Sequence, residues 1–384
     1  MKKHDTVAFS KCDEYDTDII TGLITEHFKE IGITVETFAG KKVAIKPNLV
    51  CAKTPDDAAT THPTVVEAVY RVLRSFGAED VILAESPGGP YTSVSLSHFY
   101  KVCGMTEMSK RCGLQLNGDT SFGRVNFAEG KKLRSLDVIT PIMDADVIIN
   151  VCKLKTHSLT GLSCAVKNLF GVVPGTLKVE MHAAYPQLED FCEMLVDLNL
   201  TLLRDKTVIS VCDAIVSMEG NGPTHGTPIK TGALFTSLNP FALDIVTEQF
   251  IGAEGESLYL DIGAERFGIP RRVEDTSIYE VIGSFSLTRP DSKAGSLLRN
   301  LPNYFGGRLA RALEPKPKID PKKCVGCGKC MGFCPQKTIE ITKKKGKKVA
   351  RIKEDNCIRC YCCQELCPMA AVDTVKNPLL RFIH

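Results

Sequence analysis

Residues 146–157 read DVIINVCKLKTH. The first half is apolar and β-branched, the composition of a buried strand. The second half carries Lys153, Lys155 and His157. The pattern predicts a strand over Val147–Cys152 that ends at Asn150–Cys152, with the cations leaving it. Lys167 follows, and Thr156, Ser158, Thr160, Gly161 and Ser163 fill the gaps. Burying so much positive charge without partners is costly. Either the segment is a solvated loop or it lines a site for something negative.

Outward from that strand the same alternation recurs. Val7–Ser10, Lys42–Pro47, Asp80–Glu85, Thr207–Cys212 and Ala233–Ser237 read as strands. Thr17–Ile31 has helical periodicity, with Ile20, Leu23, Ile24, His27, Phe28 and Ile31 on one face. Thr64–Phe76 is a predicted helix, with Pro63 near its start and Gly77 beyond its end. Val94–Cys103, Gln187–Arg204, Phe241–Ile251 and Ser257–Phe267 complete the set. The predicted fold class is α/β, a mostly parallel sheet covered by helices on both faces.

Such sheets bind ligands beyond the carboxyl ends of their strands. Lys46–Pro47–Asn48 ends one strand, Glu85–Ser86–Pro87–Gly88–Gly89 a second, Lys153, Lys155 and His157 a third, and Asp213 a fourth. Met218–Glu219–Gly220–Asn221–Gly222–Pro223 follows Asp213. The expected cleft residues are Lys46, Asn48, Glu85, Lys153, Lys155, Asn168, Asp213 and Glu219. His157, His182 and Lys167 are the catalytic candidates, histidine because it titrates near neutral pH. Glu85, Asp213 and Glu219 are also the acids able to neutralise the lysines internally. The turns at Gly171 and Pro174–Gly175 let backbone N–H groups approach an anion closely. There is no Walker A loop, no G-x-G-x-x-G after a strand, no G-x-S-x-G elbow and no H-E-x-x-H. His62, before Pro63, reads as a helix-entry residue. Whether a flavin or a metal also occupies the cleft stays open.

Near the C-terminal end, Cys324, Cys327, Cys330 and Cys334–Pro335 spell C-x2-C-x2-C-x3-C-P, and Cys357, Cys360, Cys363 and Cys367–Pro368 repeat it. This is the bacterial two-cluster [4Fe–4S] pattern, in which the fourth cysteine of each run serves the other cluster. One cluster is expected on Cys324, Cys327, Cys330 and Cys367, the second on Cys357, Cys360, Cys363 and Cys334. Zinc also uses CxxC pairs, but two matched runs with CP endings favour clusters. Cys362 reads as a bystander. The expected layout is an α/β domain over 1–283, a connector over 284–314, and a small α+β two-cluster ferredoxin domain over 315–384. In the connector, Asn303–Leu313 is weakly amphipathic, for packing on the main domain or for a membrane surface.

The 384 residues are 43% hydrophobic, enough for a sizeable core. No apolar run nears the roughly 20 residues that span a bilayer, and the first residues lack a signal-peptide core. A cytoplasmic location is expected. The net charge of +3 conceals a split: 16 Lys+Arg against 6 Asp+Glu from Pro315 onward (+10), and 32 against 39 before it (−7). The basic end suits an acidic redox protein as electron donor or acceptor. Taken alone, the run Lys343–Lys348 is a solvated hairpin. Trp is absent and aromatic residues are not interleaved with the cations, so nucleic acid is not the expected partner.

The motifs IKPNLV, ATTHP, ESPGG, CKLKTHSLTGLSCAVKNLFGVVPG and MEGNGPTHGTP together resemble the domain of unknown function 362 family, here joined to a double-cluster ferredoxin domain. The resemblance implies an iron–sulfur protein of anaerobic-type metabolism and implies no established reaction. Two readings follow from the residues. In the first, a ferredoxin-coupled reductase holds an anionic small substrate or cofactor in the cleft. In the second, a non-catalytic electron carrier or assembly module docks an acidic redox partner.

Overall fold

The computed structural model describes residues 5–272, 285–286, 315–344 and 346–375. The 303–313 segment, nearly all of the 284–314 connector, and Lys345 lie outside the described residues. The larger part of the chain forms strands β1 (Val7–Lys11), β2 (Lys42–Pro47), β3 (Asp80–Leu83), β4 (Gln115–Leu116), β5 (Phe122–Asn126), β6 (Ser135–Ile139), β7 (Val147–His157), β8 (Gly161–Ser163), β9 (Thr207–Glu219) and β10 (Thr227–Ser237). Its helices are α1 (Thr17–Glu30), α2 (Pro63–Ser75), α3 (Ser93–Val102), α4 (Met105–Cys112), α5 (Thr140–Met143), α6 (Ala165–Asn168), α7 (Leu177–Ala184), α8 (Leu188–Asp205), α9 (Pro240–Phe250) and α10 (Leu258–Phe267).

Eight strands make one sheet in the order β1-β10-β9-β7-β2-β3-β4, with β8 folded back on β7. The run β9-β7-β2-β3-β4 is parallel, whereas β10 lies antiparallel to both its neighbours. The central strands carry apolar residues on both faces, as a sheet buried between helix layers requires. Ile45, Ile149 and Val151 pack with Ile24, Phe28, Val65, Val69 and Val72 of α1 and α2. Ala44 and Ile148 point the other way, to Phe191, Leu195 and Leu198 of α8. Local signals start the helices where the sequence placed them. The Asp16 carboxylate accepts the N–H groups of Asp18 and Ile19 at α1, and the His62 ring accepts that of Thr64 at α2.

One expectation is overturned. The strand that was to end at Asn150–Cys152 runs on as β7 to His157, and all eleven of its residues are buried. The segment is thus no solvated loop, and the cations do not leave the strand. The physical reason is pairing on both sides. β9 continues alongside to Glu219, and β8 pairs Lys155 with Ser163 and His157 with Gly161. Lysine stems can sit in a strand when their ammonium groups find acceptors beside the sheet. β9 and β10 are likewise longer than the sequence pattern gave, and the β5–β6 hairpin had no counterpart in it.

The C-terminal part is small. β11 (Lys316–Ile319) pairs with β14 (Val372–Val375), and β12 (Ile339–Lys344) with β13 (Lys347–Ile352). Two one-turn helices, α11 (Lys329–Gly332) and α12 (Cys362–Glu365), follow cysteine loops. Of the Lys343–Lys348 run, Lys343 and Lys344 pair with Lys348 and Lys347 at the end of the β12–β13 hairpin, as expected. Among the described residues, no helix is long and apolar enough to cross a membrane.

Candidate functional site

The carboxyl-terminal stretches of β2 and β7 and the loop after β3 open into a cleft of about 750 Å³, a figure that includes its mouth. Lys46, Lys155, Lys167 and Lys178 line it, with Glu85 from the β3 loop and Glu365 from α12. Of the sequence-derived site residues, Lys46, Asn48, Glu85, Lys155, His157, Lys167, Asn168 and His182 meet there. Lys153, Asp213 and Glu219 do not. Lys153 Nζ donates to Asp213 Oδ2 at 2.9 Å and to the Tyr15 hydroxyl at 2.9 Å, a closed internal pair. Glu219 accepts the Ser286 N–H at 2.8 Å, at the far end of β9.

The four lysines are held differently. Lys46 Nζ donates to Glu85 Oε2 at 2.9 Å, to the Pro47 carbonyl at 2.8 Å and to Asn168 Oδ1 at 3.2 Å. Burial lowers its pKa, and Glu85 opposes that. Gly171 covers this pair. A Cβ there would lie 2.5 Å from Lys46 Nζ and 2.7 Å from Glu85 Oε1, so only glycine leaves the ion pair its room.

Lys155 and Lys178 have neutral acceptors only. Lys155 Nζ donates to Asn48 Oδ1 and the Ala59 carbonyl. Lys178 Nζ donates to the carbonyls of Ser86 at 2.7 Å and Val173 at 2.6 Å, and to Ser86 Oγ at 3.1 Å. Burial pushes Lys155 down to about 8 and Lys178 down to about 7. Lys167 Nζ makes no hydrogen bond. It sits over the Phe170 ring at 4.6 Å and nearer the edge of range of Phe191 at 5.9 Å. Four lysines therefore face two carboxylates, a surplus of positive charge.

Neither histidine adds to that surplus. His182 stacks on Phe191 with centroids 4.4 Å apart, and burial pushes it down to about 3. His157 Nδ1 accepts the N–H groups of Leu159 at 3.1 Å and Thr160 at 3.4 Å. The ring proton of neutral His157 is therefore on Nε2. That nitrogen lies 3.2 Å from Glu365 Oε1.

The iron–sulfur domain forms one wall of the cleft. Cys362, Glu365 and Leu366 are lining residues. Gln364 Nε2 donates to the carbonyls of Asn221 at 2.8 Å and Gly222 at 3.1 Å, and Thr224 Oγ1 donates to the Glu365 carbonyl at 3.0 Å. Thr374 Oγ1 donates to Ser158 Oγ at 3.1 Å. Burial opposes ionisation of Glu365, but His157 and Lys167 outweigh it and keep the carboxyl below its ordinary range. Sequence reasoning missed Glu365, which hides inside a cysteine motif, and did not place Lys178 among the site residues. Cys362, expected to be a bystander, faces the cleft.

The eight run cysteines lie in two neighbouring groups. Cys324, Cys327, Cys330 and Cys367 line one cavity of about 350 Å³. Cys334 lies within electrostatic reach of Cys357 and Cys363. A single zinc, about 2.3 Å from each sulfur, would hold its sulfurs roughly 3.8 Å apart. Among the described residues the one set of three or more candidate ligand atoms within 4.8 Å of one another is Cys152, Cys164 and Cys212, none of them in these runs. No three sulfurs of the two runs gather that closely. Backbone N–H groups of Ala350, Ala371 and Thr338 point at Cys324, Cys367 and Cys334 sulfurs at 3.3–3.4 Å, contacts of the kind that tune cluster potential.

Residues 43–248 match the model of a domain of unknown function (DUF362), and residues 317–375 match that of a 4Fe-4S dicluster domain. A thylakoid-associated protein from Synechocystis sp. is 31% identical over 236 residues, covering 60% of this chain and 69% of the relative. A protein from Thermotoga maritima aligns with a TM-score of 0.37 and 15% identity, over 67% of this chain and 60% of that one. The lactate racemase apoprotein from Thermoanaerobacterium thermosaccharolyticum aligns with a TM-score of 0.37 and 11% identity, over 66% of this chain and 58% of that one. The chain spans about three fifths of the length of both solved structures.

Proposed function

The chain belongs to the DUF362 family and carries a 4Fe-4S dicluster domain, and on that premise we propose that it is a ferredoxin-coupled reductase acting on an anionic small substrate or cofactor. The iron–sulfur domain gives the chain an electron-transfer role. The observation that carries the finer reading is the shared cleft, where four lysines against two carboxylates meet a wall built from the iron–sulfur domain. A carrier that only docked a partner would have no use for surplus positive charge enclosed beside its cysteine loop, which costs desolvation energy until an anion arrives.

In this reading Cys324, Cys327, Cys330 and Cys367 hold one cluster, and Cys357, Cys360, Cys363 and Cys334 the other. Bound there, the clusters supply single electrons at low potential. The chain's own residues do the rest. Lys155, Lys167 and Lys178 bind and orient the anion, while Lys46 and Glu85 fix the floor through Asn168. Lys178 releases or takes up a proton at Nζ, since it titrates near neutral pH. His182, Phe170 and Phe191 exclude water around Lys167. The boundaries 1–283, 284–314 and 315–384 are part of the same proposal.

The electron source we propose is an acidic redox protein. Cys327 is exposed, and Val325, Met331 and Met369 around it are about half exposed, at 51%, 44% and 45%. Lys322, Lys323, Lys329, Lys347 and Lys348 of the same domain are exposed. Exposed apolar side chains and cations on one small domain fit an acidic partner surface.

Inorganic phosphate and small carboxylates, titrated anaerobically into the cluster-loaded chain, test the cleft. Thermal stabilisation is expected for the wild type, and its loss for Lys167→Ala and Lys178→Ala proteins of unchanged iron content. Equal stabilisation of wild type and both variants would move the anion out of this cleft.

A further inference from the structure

Two groups in the cleft lack hydrogen-bond partners, and they need opposite ones. Lys167 Nζ has ring faces beneath it and no acceptor. Glu365 Oε1 is buried and has no donor. His157 Nε2 comes within ion-pair distance of it, 3.2 Å, without the alignment of a hydrogen bond. Both residues line the same cavity. A buried carboxylate oxygen without a hydrogen-bond donor is costly, and the half-buried Lys167 ammonium is open to an acceptor, so a molecule that bridges the two would gain both contacts.

A plain carboxylate or phosphodiester, fully ionised and without a donor of its own, satisfies only half of this. It gives Lys167 an acceptor but meets Glu365 as a like charge. A ligand that also offers an O–H or N–H beside its charged group satisfies both ends. Resting on the anion-cleft reading above, we propose that Glu365, contributed by the iron–sulfur domain, is the specificity residue of the cleft and selects anions that carry their own hydrogen-bond donor. The chemical class is a small carboxylate or phosphoryl compound with a hydroxyl or amino group next to the anionic centre. Specificity built this way is strong, because the wrong ligand leaves a buried carboxylate unpaired. It also explains why the selecting group comes from α12, since a bound ligand would touch the central sheet and the helix that begins beside Cys363 at once.

Matched probes test the idea by isothermal titration of the full cluster-loaded chain under anaerobic conditions. Glycolate is paired with acetate, and methyl 2-hydroxyethyl phosphate with methyl ethyl phosphate, diesters that carry no P–OH near neutral pH, so the two pairs separate carboxylate from phosphoryl ligands. In the wild type the hydroxyl-bearing member of at least one pair should bind about tenfold tighter or more, the scale of a hydrogen bond to a charged group. In Glu365→Ala that preference should vanish, chiefly because the donor-free member gains, and in Glu365→Gln, which keeps a neutral acceptor, it should shrink. Lys167→Ala should weaken both members alike. Visible absorbance checks that the clusters stay loaded in every variant. Equal affinities within both pairs in the wild type, as when a water already bridges the two groups, would overturn the donor rule and leave the anion cleft standing. A preference that survives in both Glu365 variants would assign it to another residue and overturn the proposal. No saturable binding of any probe would overturn the cleft reading as well.

Discussion

His157 on the central strand and Glu365 on the iron–sulfur helix α12 meet at 3.2 Å, although 208 positions separate them in the chain. The Nδ1 side of the ring is fixed by the N–H groups of Leu159 and Thr160. The Nε2 side faces the carboxylate. One side chain thus ties the turn after β7 to the wall that the second domain supplies.

His157→Ala should therefore cost stability before it costs chemistry. It leaves two backbone N–H groups, one of them fully buried, without their acceptor, at about 1–3 kcal/mol each. Denaturant unfolding followed by far-UV circular dichroism should show a lower midpoint with an unchanged slope. An unchanged midpoint would mean that water replaces the ring without loss.

Lys153 and Lys167 are separable by the same logic. Lys153 is closed into a pair with Asp213 and Tyr15 and reaches no cleft. Replacing it by Met leaves a buried carboxylate unpaired, which costs about 3–5 kcal/mol. Lys167→Ala removes an ammonium that has no hydrogen bond to lose. Thermal unfolding should fall sharply for the first variant and little for the second, with anion binding lost only in the second.

The buried lysines set a pH dependence. Lys178 sits at about 7 and Lys155 at about 8, both lowered by burial. An anion binds the protonated forms, so affinity should be highest at or below pH 7 and fall as pH rises through 7 and then 8. One coupled proton limits the fall to about tenfold per pH unit. Binding should take up protons, measurable as a buffer-dependent enthalpy. Without ligand the sign is opposite. The unfolded chain holds the Lys178 proton more tightly than the folded one, so stability should rise with pH from about 7 towards the ordinary lysine value of about 10.4. Lys178→Met should flatten the lower part of both profiles.

The cysteine geometry gives an analytical prediction. About eight irons and eight sulfides per chain are expected from two [4Fe–4S] centres. Cys327→Ser should impair the centre that Cys324, Cys330 and Cys367 share more than the other, as resolved by EPR of the dithionite-reduced protein. One zinc per cysteine run and no visible absorbance would overturn the assignment.

If the exposed lysines dock an acidic partner, as proposed, electron transfer should be salt-sensitive. The Debye length falls from about 10 Å at 0.1 M to about 3 Å at 1 M salt. Reduction by an acidic electron-transfer protein should slow across that range. Lys347→Gln with Lys348→Gln should reproduce part of the loss at low salt. Stopped-flow rates that ignore both changes would remove electrostatic docking.

How far the sequence reached depends on the range of each interaction. The two cysteine runs were legible because cluster ligation is written in local spacing, three ligands within one loop and a fourth before a proline. The parallel sheet was legible because apolar runs and amphipathic helices alternate at their own periods. The cleft was legible in part. Lys46, Glu85 and Lys155 could be assigned to strand ends from the expected topology, yet the same rule offered Lys153 and Asp213, which neutralise each other. Which lysine keeps its charge to itself is decided by what lies opposite it across β7 and β9, and that is a matter of register. The length of β7 was misjudged for a related reason. Lysines look like a strand's end to any rule that knows only polarity, whereas the sheet holds them through acceptors from distant loops such as Ala59 and Asn48. Glu365 had no signal at all. Its role comes from the docking of one domain on another, a contact between positions far apart in the chain, and no local pattern encodes where a carboxylate between two cysteines will point.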